Sequence, residues 1–474
     1  MCAALPAPAA GEEPRPTLDA SPEPTAPGAS VSRRVALGLL GAAGAAALLT
    51  PGRRRTVPAG RVHLRYWEKW TGAEGEAVQR IVDRFNASQD RSWVERVPVA
   101  EIFSKAMVAI GGGDPPDVVG LFSWNVPYFA EARALMPFDD FPGGAELASG
   151  YYAPAIERLL QHEGRLWCGA NTCYSLVLYA NRARLAQVGL DAPPATIEEL
   201  DAVSERLVER GADGRITRAG FLQNIPLWWP YVWPSLFGAE LMEPGHGERP
   251  PRMSLASEGC RRAYQWVSDT AERHGRAASR SFGLSWERTM LSAADPFLSG
   301  GVAMTVQGPW MANFARQFTP NLDYVAAPVP VPAADLDPAR PRGLLECDTI
   351  GIPRGCPHPE EAWEFVRFTQ TRESQEELAR AHCKPSPLAT TSPDFLVGHP
   401  NPFVAVHEAV AKSPAVSVLP ETRAWKATSD LMVQAFDAIW MGADVGTELE
   451  RVQTRAQGLL EAARERYRAR RERV

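Results

Sequence analysis

The 474-residue chain lacks features that mark several protein classes. Its net charge is −6 at pH 7, so it has no basic excess of the kind that binds nucleic acid. Its most membrane-like run, residues 35–49, is short and rich in Ala and Gly, which excludes a multi-span membrane transporter. Its hydrophobic content of 45% is ordinary for a globular protein and excludes a chain that is disordered throughout.

Motifs for metal binding and for catalysis are also missing. The seven cysteines form no C-x-x-C pair and have no accompanying histidine cluster, so we expect no metal site and no cofactor. Six of the cysteines follow residue 59, and their spacing leaves disulfides and free buried thiols equally open. No G-x-S-x-G, H-E-x-x-H or S-x-x-K motif stands in a convincing context, which argues against an enzyme.

Residues 1–59 are interpreted as a disordered amino-terminal region with an export signal. Residues 1–31 are rich in Pro and Ala and have no periodic apolar pattern. Ser32-Arg33-Arg34 then precedes the mildly apolar residues 35–49, and this string resembles the twin-arginine export motif. Val57-Pro58-Ala59 offers a cleavage site, and an uncleaved anchor formed by residues 35–49 is the alternative. In both cases we expect the folded part to be periplasmic or otherwise extracytoplasmic.

Strand and helix patterns alternate along the rest of the chain. Residues 62–67 alternate apolar and polar side chains, as in a strand, and residues 75–85 repeat apolar side chains at helical spacing. Further strands are predicted at residues 93–99, 117–121, 166–179, 302–306, 324–328 and 349–353, and further helices at 102–110, 197–210, 259–272, 360–371 and 428–470. This order predicts an α/β architecture with a largely parallel sheet.

Tryptophan is unusually frequent, with 14 copies. A Trp ring has a large flat apolar face that suits either a protein core or a flat ligand. Trp70, Trp124 and Trp310 follow predicted strands, where loops at strand ends form ligand sites. The run from Trp228 to Trp233 follows neither a helical nor a strand period, so we expect at least two of its rings to face a cleft, with Trp233 in the core. Four others are interpreted as structural: Trp93 on a strand, Trp266 and Trp363 on amphipathic helices, and Trp440 at the end of a helical run.

Six short motifs occur in a fixed order along residues 62–440. They are Gly112-Gly113-Asp114-Pro115-Pro116-Asp117-Val118, Trp124 with Phe129-Ala130, Leu135-Met136-Pro137-Phe138-Asp139, Tyr179-Ala180-Asn181, Gly301 to Trp310, and Pro359 to Phe365. Together they resemble the family 1 extracellular solute-binding proteins of ABC importers, which include maltose-binding-protein-like sugar-binding proteins.

The resemblance implies an α/β fold of the type II periplasmic-binding-protein kind, in which two lobes of discontinuous segments are joined by a hinge. We expect residues 60–172 plus 347–380 in the N-lobe, and residues 173–346 plus 381–474 in the C-lobe. The implied function is capture of a carbohydrate in an aromatic-lined cleft and its delivery to the membrane subunits of an ABC transporter. We also expect a monomer that is not an enzyme and, given the acidic balance, binds no nucleic acid.

Candidate ligand-binding residues come from strand ends, from the crossing segments and from the resemblance. For each of them the alternative is core packing or a surface contact; a surface salt bridge is the alternative for Arg423. The candidates are Glu68, Lys69, Trp70, Trp124, Asn125, Asn171, Tyr174, Trp228, Trp229, Tyr231, Gly308, Trp310, Asp348, Arg423 and Trp425.

Two other functions stay open at this stage. An extracellular carbohydrate-active hydrolase or lyase would need two carboxylates about 5–9 Å apart across the cleft. A binding protein for a non-sugar ligand, such as a glycerophosphodiester or a polyamine, is the second alternative. For a phosphate, Lys69, Lys384 and Arg423 are the available cations.

Overall fold

The computed structural model describes residues 57–148, 150–226, 228–245 and 249–471. The predicted twin-arginine motif and the candidate anchor of residues 35–49 lie outside this part of the chain. Within it, no helix combines the length and the hydrophobicity that crossing a membrane requires.

The strands fall into one mixed sheet, one small antiparallel sheet and three short hairpin-like pairs. In chain order they are β1 Val62–Glu68, β2 Ser92–Pro98, β3 Val118–Phe122, β4 Leu135–Met136, β5 Gln161–His162, β6 Arg165–Leu166, β7 Gly169–Ser175, β8 Val177–Asn181, β9 Glu209–Arg210, β10 Ile216–Arg218, β11 Met242–Glu243, β12 Arg252–Met253, β13 Met304–Gln307, β14 Tyr324–Ala327, β15 Gly343–Pro353 and β16 Val416–Val418.

Helices separate many of the strands, as the alternating pattern predicts, although β5 to β8 and the pairs β9–β10, β11–β12 and β14–β15 follow one another with no α-helix among the described residues between them. They are α1 Gly72–Ser88, α2 Ile102–Gly111, α3 Val126–Glu131, α4 Pro154–Leu160, α5 Arg182–Ala186, α6 Ile197–Leu207, α7 Trp233–Leu236, α8 Glu258–His274, α9 Arg276–Ser285, α10 Met311–Phe318, α11 Pro359–Thr369, α12 Arg372–Ala381, α13 Val404–Ala411, α14 Trp425–Trp440 and α15 Val445–Arg471. Residues 428–470, predicted as one largely helical region, form α14 and α15.

The larger sheet is mixed, so the prediction of a largely parallel sheet is wrong. Its order is β16-β15-β3-β1-β2, and β4 and β7 also pair with β15. The pairs β1–β2, β1–β3 and β15–β16 are parallel, whereas β15 runs antiparallel to β3, β4 and β7. The second sheet, β13-β8-β14, is antiparallel throughout. Local periodicity predicts that a segment is a strand, but it does not predict the direction in which that strand pairs with distant strands. The antiparallel pairing of β15 was therefore not predicted.

Buried apolar side chains form two large hydrophobic cores. The first core draws on residues 64–173, 345–388 and 411, and the second on residues 174–344 and 410–463. Strand β7 passes from one core to the other between Cys173 and Tyr174, and β15 passes back between Leu344 and Leu345. The antiparallel pair β7–β15 therefore joins the two cores, and side chains near these positions lie where the cores meet.

The cysteines of the described residues are all free thiols, and all are buried: Cys168, Cys173, Cys260, Cys347, Cys356 and Cys383. Burial raises the pKa of the Cys168 thiol to about 12, which keeps it protonated and unreactive at neutral pH. The cysteine spacing left disulfides and free thiols open, and in the structure these six cysteines are free thiols.

Candidate functional site

Glu68, the last residue of β1, is fully buried, and neighbouring groups hold its carboxylate in place. Its Oε2 accepts hydrogen bonds from the Tyr66 hydroxyl at 2.5 Å and from Asn171 Nδ2 at 3.2 Å. Its Oε1 accepts one from Lys69 N at 2.7 Å. Gly120 makes room for this group, because a Cβ atom there would lie 2.0 Å from Glu68 Oε2. Glu68 and Asn171 therefore fix one another and link the end of β1 to β7 through their side chains.

Asp348 is a second buried carboxylate and lies opposite Thr172 in the β7–β15 ladder. Its Oδ2 accepts hydrogen bonds from Thr172 Oγ1 at 2.8 Å and from Lys384 Nζ at 2.9 Å, and Lys69 Nζ lies 3.3 Å from Oδ1. Burial by itself would raise the pKa of Asp348, but the two ammonium groups and the hydrogen bonds outweigh it and lower the pKa to about 2. Asp348 is therefore ionised at neutral pH and joins both lysines.

The two lysines also face aromatic rings. Lys69 Nζ lies 4.3 Å from the ring centroid of Trp70 and 4.6 Å from that of Phe122. Lys384 Nζ lies 5.0 Å from the Trp70 ring and 5.7 Å from the Tyr174 ring. Cation–π contacts of desolvated ammonium groups are worth up to about 2 kcal/mol each. Because Trp70 belongs to the first core and Tyr174 to the second, Lys384 connects the two sides of the site.

Tyr174, Trp229 and Trp310 form a three-ring group, called here the aromatic cluster. The Tyr174 ring lies 5.0 Å from Trp310, edge to face, and 6.5 Å from Trp229, and the two tryptophan rings lie 6.2 Å apart. Trp310 follows β13 and bends back over it, with Nε1 donating a hydrogen bond to Gln307 Oε1 at 3.1 Å. Gly308 permits this bend, since a Cβ atom there would lie 2.3 Å from the Trp310 ring.

The remaining aromatic candidates lie around this cluster. Trp228 is 37% exposed, and its ring meets that of Trp229 edge to face at 5.9 Å. Tyr231 meets Trp425 edge to face at 5.3 Å, and Trp425 is buried at the start of α14. Trp233 is buried in the second core, as its sequence pattern predicts. The tryptophan-rich run therefore divides between the core, which holds Trp233, the aromatic cluster, which holds Trp229, and the surroundings of that cluster.

Glu346 is a buried residue of this region that the sequence analysis missed. It lies on β15 opposite Tyr174 of β7, and its Oε2 accepts a hydrogen bond from the Tyr174 hydroxyl at 2.5 Å. Burial raises the pKa of Glu346 to about 7, the hydrogen bond from Tyr174 works against this rise, and the charge of Asp348 adds to it. One signal was available: Glu346 and Asp348 are two residues apart on a strand and so share a face.

The model of the bacterial extracellular solute-binding protein family matches residues 69–376, which is more than half of the chain. The chain belongs to this family. The family resemblance inferred from the six sequence motifs is thereby confirmed.

Three similar proteins illustrate the range of this solute-binding family. The chain is 23% identical over 335 residues to an uncharacterized ABC transporter extracellular-binding protein of Pyrococcus horikoshii, across 66% of this chain and 68% of that protein. It is 26% identical over 160 residues to the sn-glycerol-3-phosphate-binding periplasmic protein UgpB of Rhizobium meliloti, across 31% of this chain and 37% of UgpB. The solved structure of CpMnBP1 with mannotriose bound has a TM-score of 0.72 at 24% identity and covers 84% of this chain and 100% of that chain. The likeness in structure confirms the predicted type II periplasmic-binding-protein fold.

In this solute-binding protein, the loop after β3 reaches from the first core to the second. The Trp124 ring stacks on Phe122 at 5.8 Å with an interplanar angle of 9°, and Trp124 also packs against the second core. Asn125 is fully buried and fixes the loop, since its Oδ1 accepts a hydrogen bond from Phe122 N at 3.1 Å. Phe122 also faces Lys69, so Trp124 is connected to the lysines through one ring.

Arg423 makes a further contact between segments that belong to different cores. It precedes α14, yet its Nε lies 3.8 Å from Glu131 Oε2 at the end of α3. Its guanidinium carbon lies 4.5 Å from the ring centroid of Tyr128, also on α3. The Arg423 side chain is only 13% exposed, so its contact is part of the region between the cores and not a loose surface pair.

The structure thus places the sequence-predicted candidates in three connected groups. The polar group contains Glu68, Lys69, Trp70, Asn171 and Asp348; the aromatic group contains Tyr174, Trp228, Trp229, Tyr231, Gly308, Trp310 and Trp425; and the bridging group contains Trp124, Asn125 and Arg423. Lys384 and Glu346, which lie between the first two groups, complete the arrangement. Within the described part of the chain, no group of His, Cys, Asp and Glu side chains has the arrangement of a metal site.

Proposed function

We propose that this chain captures a carbohydrate between two lobes and delivers it to the membrane subunits of an ABC importer. One observation carries the proposal: the aromatic cluster of Tyr174, Trp229 and Trp310 lies next to buried polar groups where the two cores meet. A sugar ring has an apolar C–H face that suits an aromatic face, and hydroxyl groups that need hydrogen-bond partners. The site offers both kinds of partner.

The two hydrophobic cores support the proposed lobes. We assign residues 60–172 plus 347–380 to the N-lobe, and residues 173–346 plus 381–474 to the C-lobe. The cores support this division except at Cys173, Leu345, Leu388 and Ala411, which pack in the first core. The chain passes between the cores in β7 and in β15, which are paired, so a rotation of one lobe on the other would bend this short ladder. Trp124 and Arg423 already contact the opposite core, so opening of such a hinge would separate these contacts.

Similar proteins support the ligand class and the transporter partner. CpMnBP1 shares the fold and binds mannotriose, and the Pyrococcus horikoshii relative is an ABC transporter binding protein. The family is an extracellular one, which supports an extracytoplasmic location for this chain. Export by a twin-arginine signal and a monomeric state are parts of the same proposal; the export signal is either cleaved or, as the alternative, retained as an anchor of residues 35–49. The chain's net charge of −6 supports the absence of a nucleic-acid partner.

A carbohydrate-active enzyme is the second candidate, and one observation favours it. Glu346 and Asp348 share one face of β15, and their pKa values are shifted in opposite directions, to about 7 and about 2. Such a pair resembles a general acid beside an ionised carboxylate. However, Thr172, Lys384 and Lys69 already occupy the oxygens of Asp348, so it is poorly placed to attack a sugar or to activate water. We therefore favour reversible binding.

A phosphate ligand is the third candidate, because UgpB is named for sn-glycerol 3-phosphate. Lys384 faces Tyr174 of the aromatic cluster, and Lys69 shares the Asp348 carboxylate with Lys384. Both are already paired with carboxylates, Lys69 with Glu68 and Asp348 and Lys384 with Asp348. A dianionic phosphate would have to compete with these carboxylates, so the arrangement favours a neutral ligand.

A thermal-shift screen of the full chain separates these candidates, since a ligand that binds only the folded protein raises its melting temperature. The panel contains mannobiose, mannotriose, maltose, maltotriose and cellobiose, with sn-glycerol 3-phosphate and spermidine as the non-sugar arms. We expect at least one oligosaccharide to raise the melting temperature, with the same sugar recovered unchanged after prolonged incubation. A shift with only a non-sugar, or cleavage of the sugar, would contradict the proposal.

A further inference from the structure

The carboxylate of Glu346 is only half satisfied by the protein. Glu346 is 3% exposed, and its Oε2 accepts the hydrogen bond from Tyr174. Its Oε1 is buried and has no hydrogen-bond partner among the described residues. An unmatched buried acceptor on an ionisable group is costly, and in a binding protein it marks a position that a ligand can fill.

Asp348 provides an internal comparison on the same strand face. Both of its oxygens have protein partners, namely Thr172, Lys384 and Lys69, and its pKa is lowered to about 2. Glu346, two residues earlier, has a single donor, and burial raises its pKa to about 7. The protein therefore completes the hydrogen bonding of one carboxylate and leaves that of its neighbour incomplete.

A second unmatched polar atom lies against the same tyrosine. Trp229 Nε1 is buried and has no acceptor in the part of the chain that the structure describes. The Trp229 ring lies 6.5 Å from the Tyr174 ring, and the Tyr174 hydroxyl is bonded to Glu346. One acceptor and one donor without partners therefore belong to side chains that flank a single ring of the aromatic cluster.

We propose that a hydroxyl group of the bound carbohydrate donates a hydrogen bond to Glu346 Oε1 and accepts one from Trp229 Nε1, which makes Glu346 a specificity-determining residue. This inference rests on the carbohydrate-binding function proposed above. A hydroxyl group can donate one hydrogen bond and accept another through the same oxygen. An ammonium group cannot accept a hydrogen bond, and an ether oxygen cannot donate one. A site that holds a hydroxyl in this way discriminates strongly against ligands that lack it.

The charge of Glu346 depends on the groups around it. Those that face it are Tyr174 from β7, Asp348 from β15, and Tyr231 from the tryptophan-rich run. Lys384 and Lys69 act through their ion pairs with Asp348. His407 on α13, which contacts Tyr179 and Ser175 of the neighbouring segment, has a pKa lowered to about 3 by burial and so is neutral between pH 6 and pH 8. Glu346, whose pKa is raised to about 7 by burial, therefore titrates in this pH range.

The first test is calorimetric titration of the full-length Glu346→Gln variant at pH 8 with mannotriose, or with the sugar of the panel that binds most tightly. Gln keeps the shape and an acceptor oxygen but loses the charge, so we expect binding to weaken about 10-fold. Asp201→Asn is the matched control. Asp201 is another acid whose pKa is raised by burial, but it bonds Trp266 and Arg273 in the second core, away from the aromatic cluster. We expect its affinity for the sugar to equal that of the unmodified chain.

The second test is the pH dependence of the same titration. Since the ionised carboxylate is the better acceptor, affinity of the unmodified chain is expected to fall about 10-fold from pH 8 to pH 6. The Glu346→Gln variant cannot titrate at this position, and its affinity is expected to stay level over this range.

The outcomes separate the inference from the function on which it rests. Equal affinities of the unmodified chain and Glu346→Gln, or an affinity that rises toward pH 6, would overturn the inference while leaving carbohydrate binding intact. A melting temperature of Glu346→Gln close to that of the unmodified chain shows that the variant is folded. If no sugar of the panel binds the unmodified chain at either pH, the proposed function fails, and the inference fails with it.

Discussion

Replacing Asp348 with Asn removes the negative charge that two buried ammonium groups share. Lys384 Nζ lies 2.9 Å from Oδ2 and Lys69 Nζ lies 3.3 Å from Oδ1, and the three side chains are between 3% and 11% exposed. The lowered pKa of Asp348, about 2 against the ordinary 3.8, corresponds to a stabilisation of about 2 kcal/mol. Removing one partner of a buried ion pair costs about 3–5 kcal/mol. We therefore expect Asp348→Asn to lower the free energy of unfolding by about 2–5 kcal/mol at pH 7.

The pH dependence of the free energy of unfolding tests the same contribution of Asp348. The folded-state pKa of Asp348 is below its ordinary value, so its contribution is complete above about pH 4 and is lost as the pH falls toward 2. Urea unfolding of the full chain, measured at several pH values, should show this loss in the unmodified protein and not in Asp348→Asn.

Two further variants complete this experiment. Asp437→Asn is the matched control, because it removes an acid that is 41% exposed and paired with Arg280, and such pairs contribute about 0–1 kcal/mol. Adding Lys384→Met to Asp348→Asn should recover part of the lost stability, since it removes a cation left without its partner. A loss below about 1 kcal/mol in Asp348→Asn at pH 7 would refute the reasoning that the buried lysines depend on this carboxylate.

Two predictions concern ligand binding by the aromatic cluster. Gly308→Ala places a Cβ atom 2.3 Å from the Trp310 ring, so the ring must move, and we expect sugar affinity to fall about 10-fold or more in calorimetry; an unchanged affinity would show that Trp310 does not contact the ligand. Tyr174→Phe removes the donor to Glu346, which should raise the pKa of Glu346 further and shift the pH at which sugar affinity is half-maximal upward. A pH profile of affinity identical to that of the unmodified chain would contradict this second prediction.

Local patterns in the sequence predict the strands and helices that surround the site well. Residues 62–67 alternate in polarity because β1 buries one face, including Leu64 and Tyr66, in the first core, and β1 is observed at Val62–Glu68. Residues 75–85 repeat at helical spacing because α1 buries one stripe of side chains, including Val78 and Phe85. Such patterns record which side of an element is buried, so they can be read from a short stretch of chain.

Long-range pairing could not be predicted in the same way. The Tyr174–Glu346 hydrogen bond joins residues 172 positions apart, and it exists only because β7 and β15 pair with that register. The antiparallel return of β15 has the same origin, and it made the larger sheet mixed. Glu346 precedes the strand predicted at residues 349–353, and only the register of β15 places it beside Tyr174 and the aromatic cluster.

The tryptophans illustrate both the local patterns that the sequence predicts and the long-range contacts that it does not. Trp266, Trp363 and Trp440 lie on helices with clear amphipathic patterns, and all three are buried as predicted. Trp229 and Trp310 come from segments about 80 residues apart, yet their rings lie 6.2 Å from each other. The resemblance to a known family, rather than local periodicity, was what indicated that such loops converge.

The central claim is that a carbohydrate binds against the aromatic cluster, and calorimetric titration of tryptophan variants tests it most directly. The unmodified full-length chain is titrated with the oligosaccharide that gives the largest thermal shift, beside Trp229→Ala and Trp310→Ala. Trp93→Ala is the control, because Trp93 is also half-buried but lies on β2, at the edge of the larger sheet. We predict one-to-one binding that Trp93→Ala retains and that each of the other two variants weakens about 30-fold or more. Equal binding by all four proteins would contradict the account.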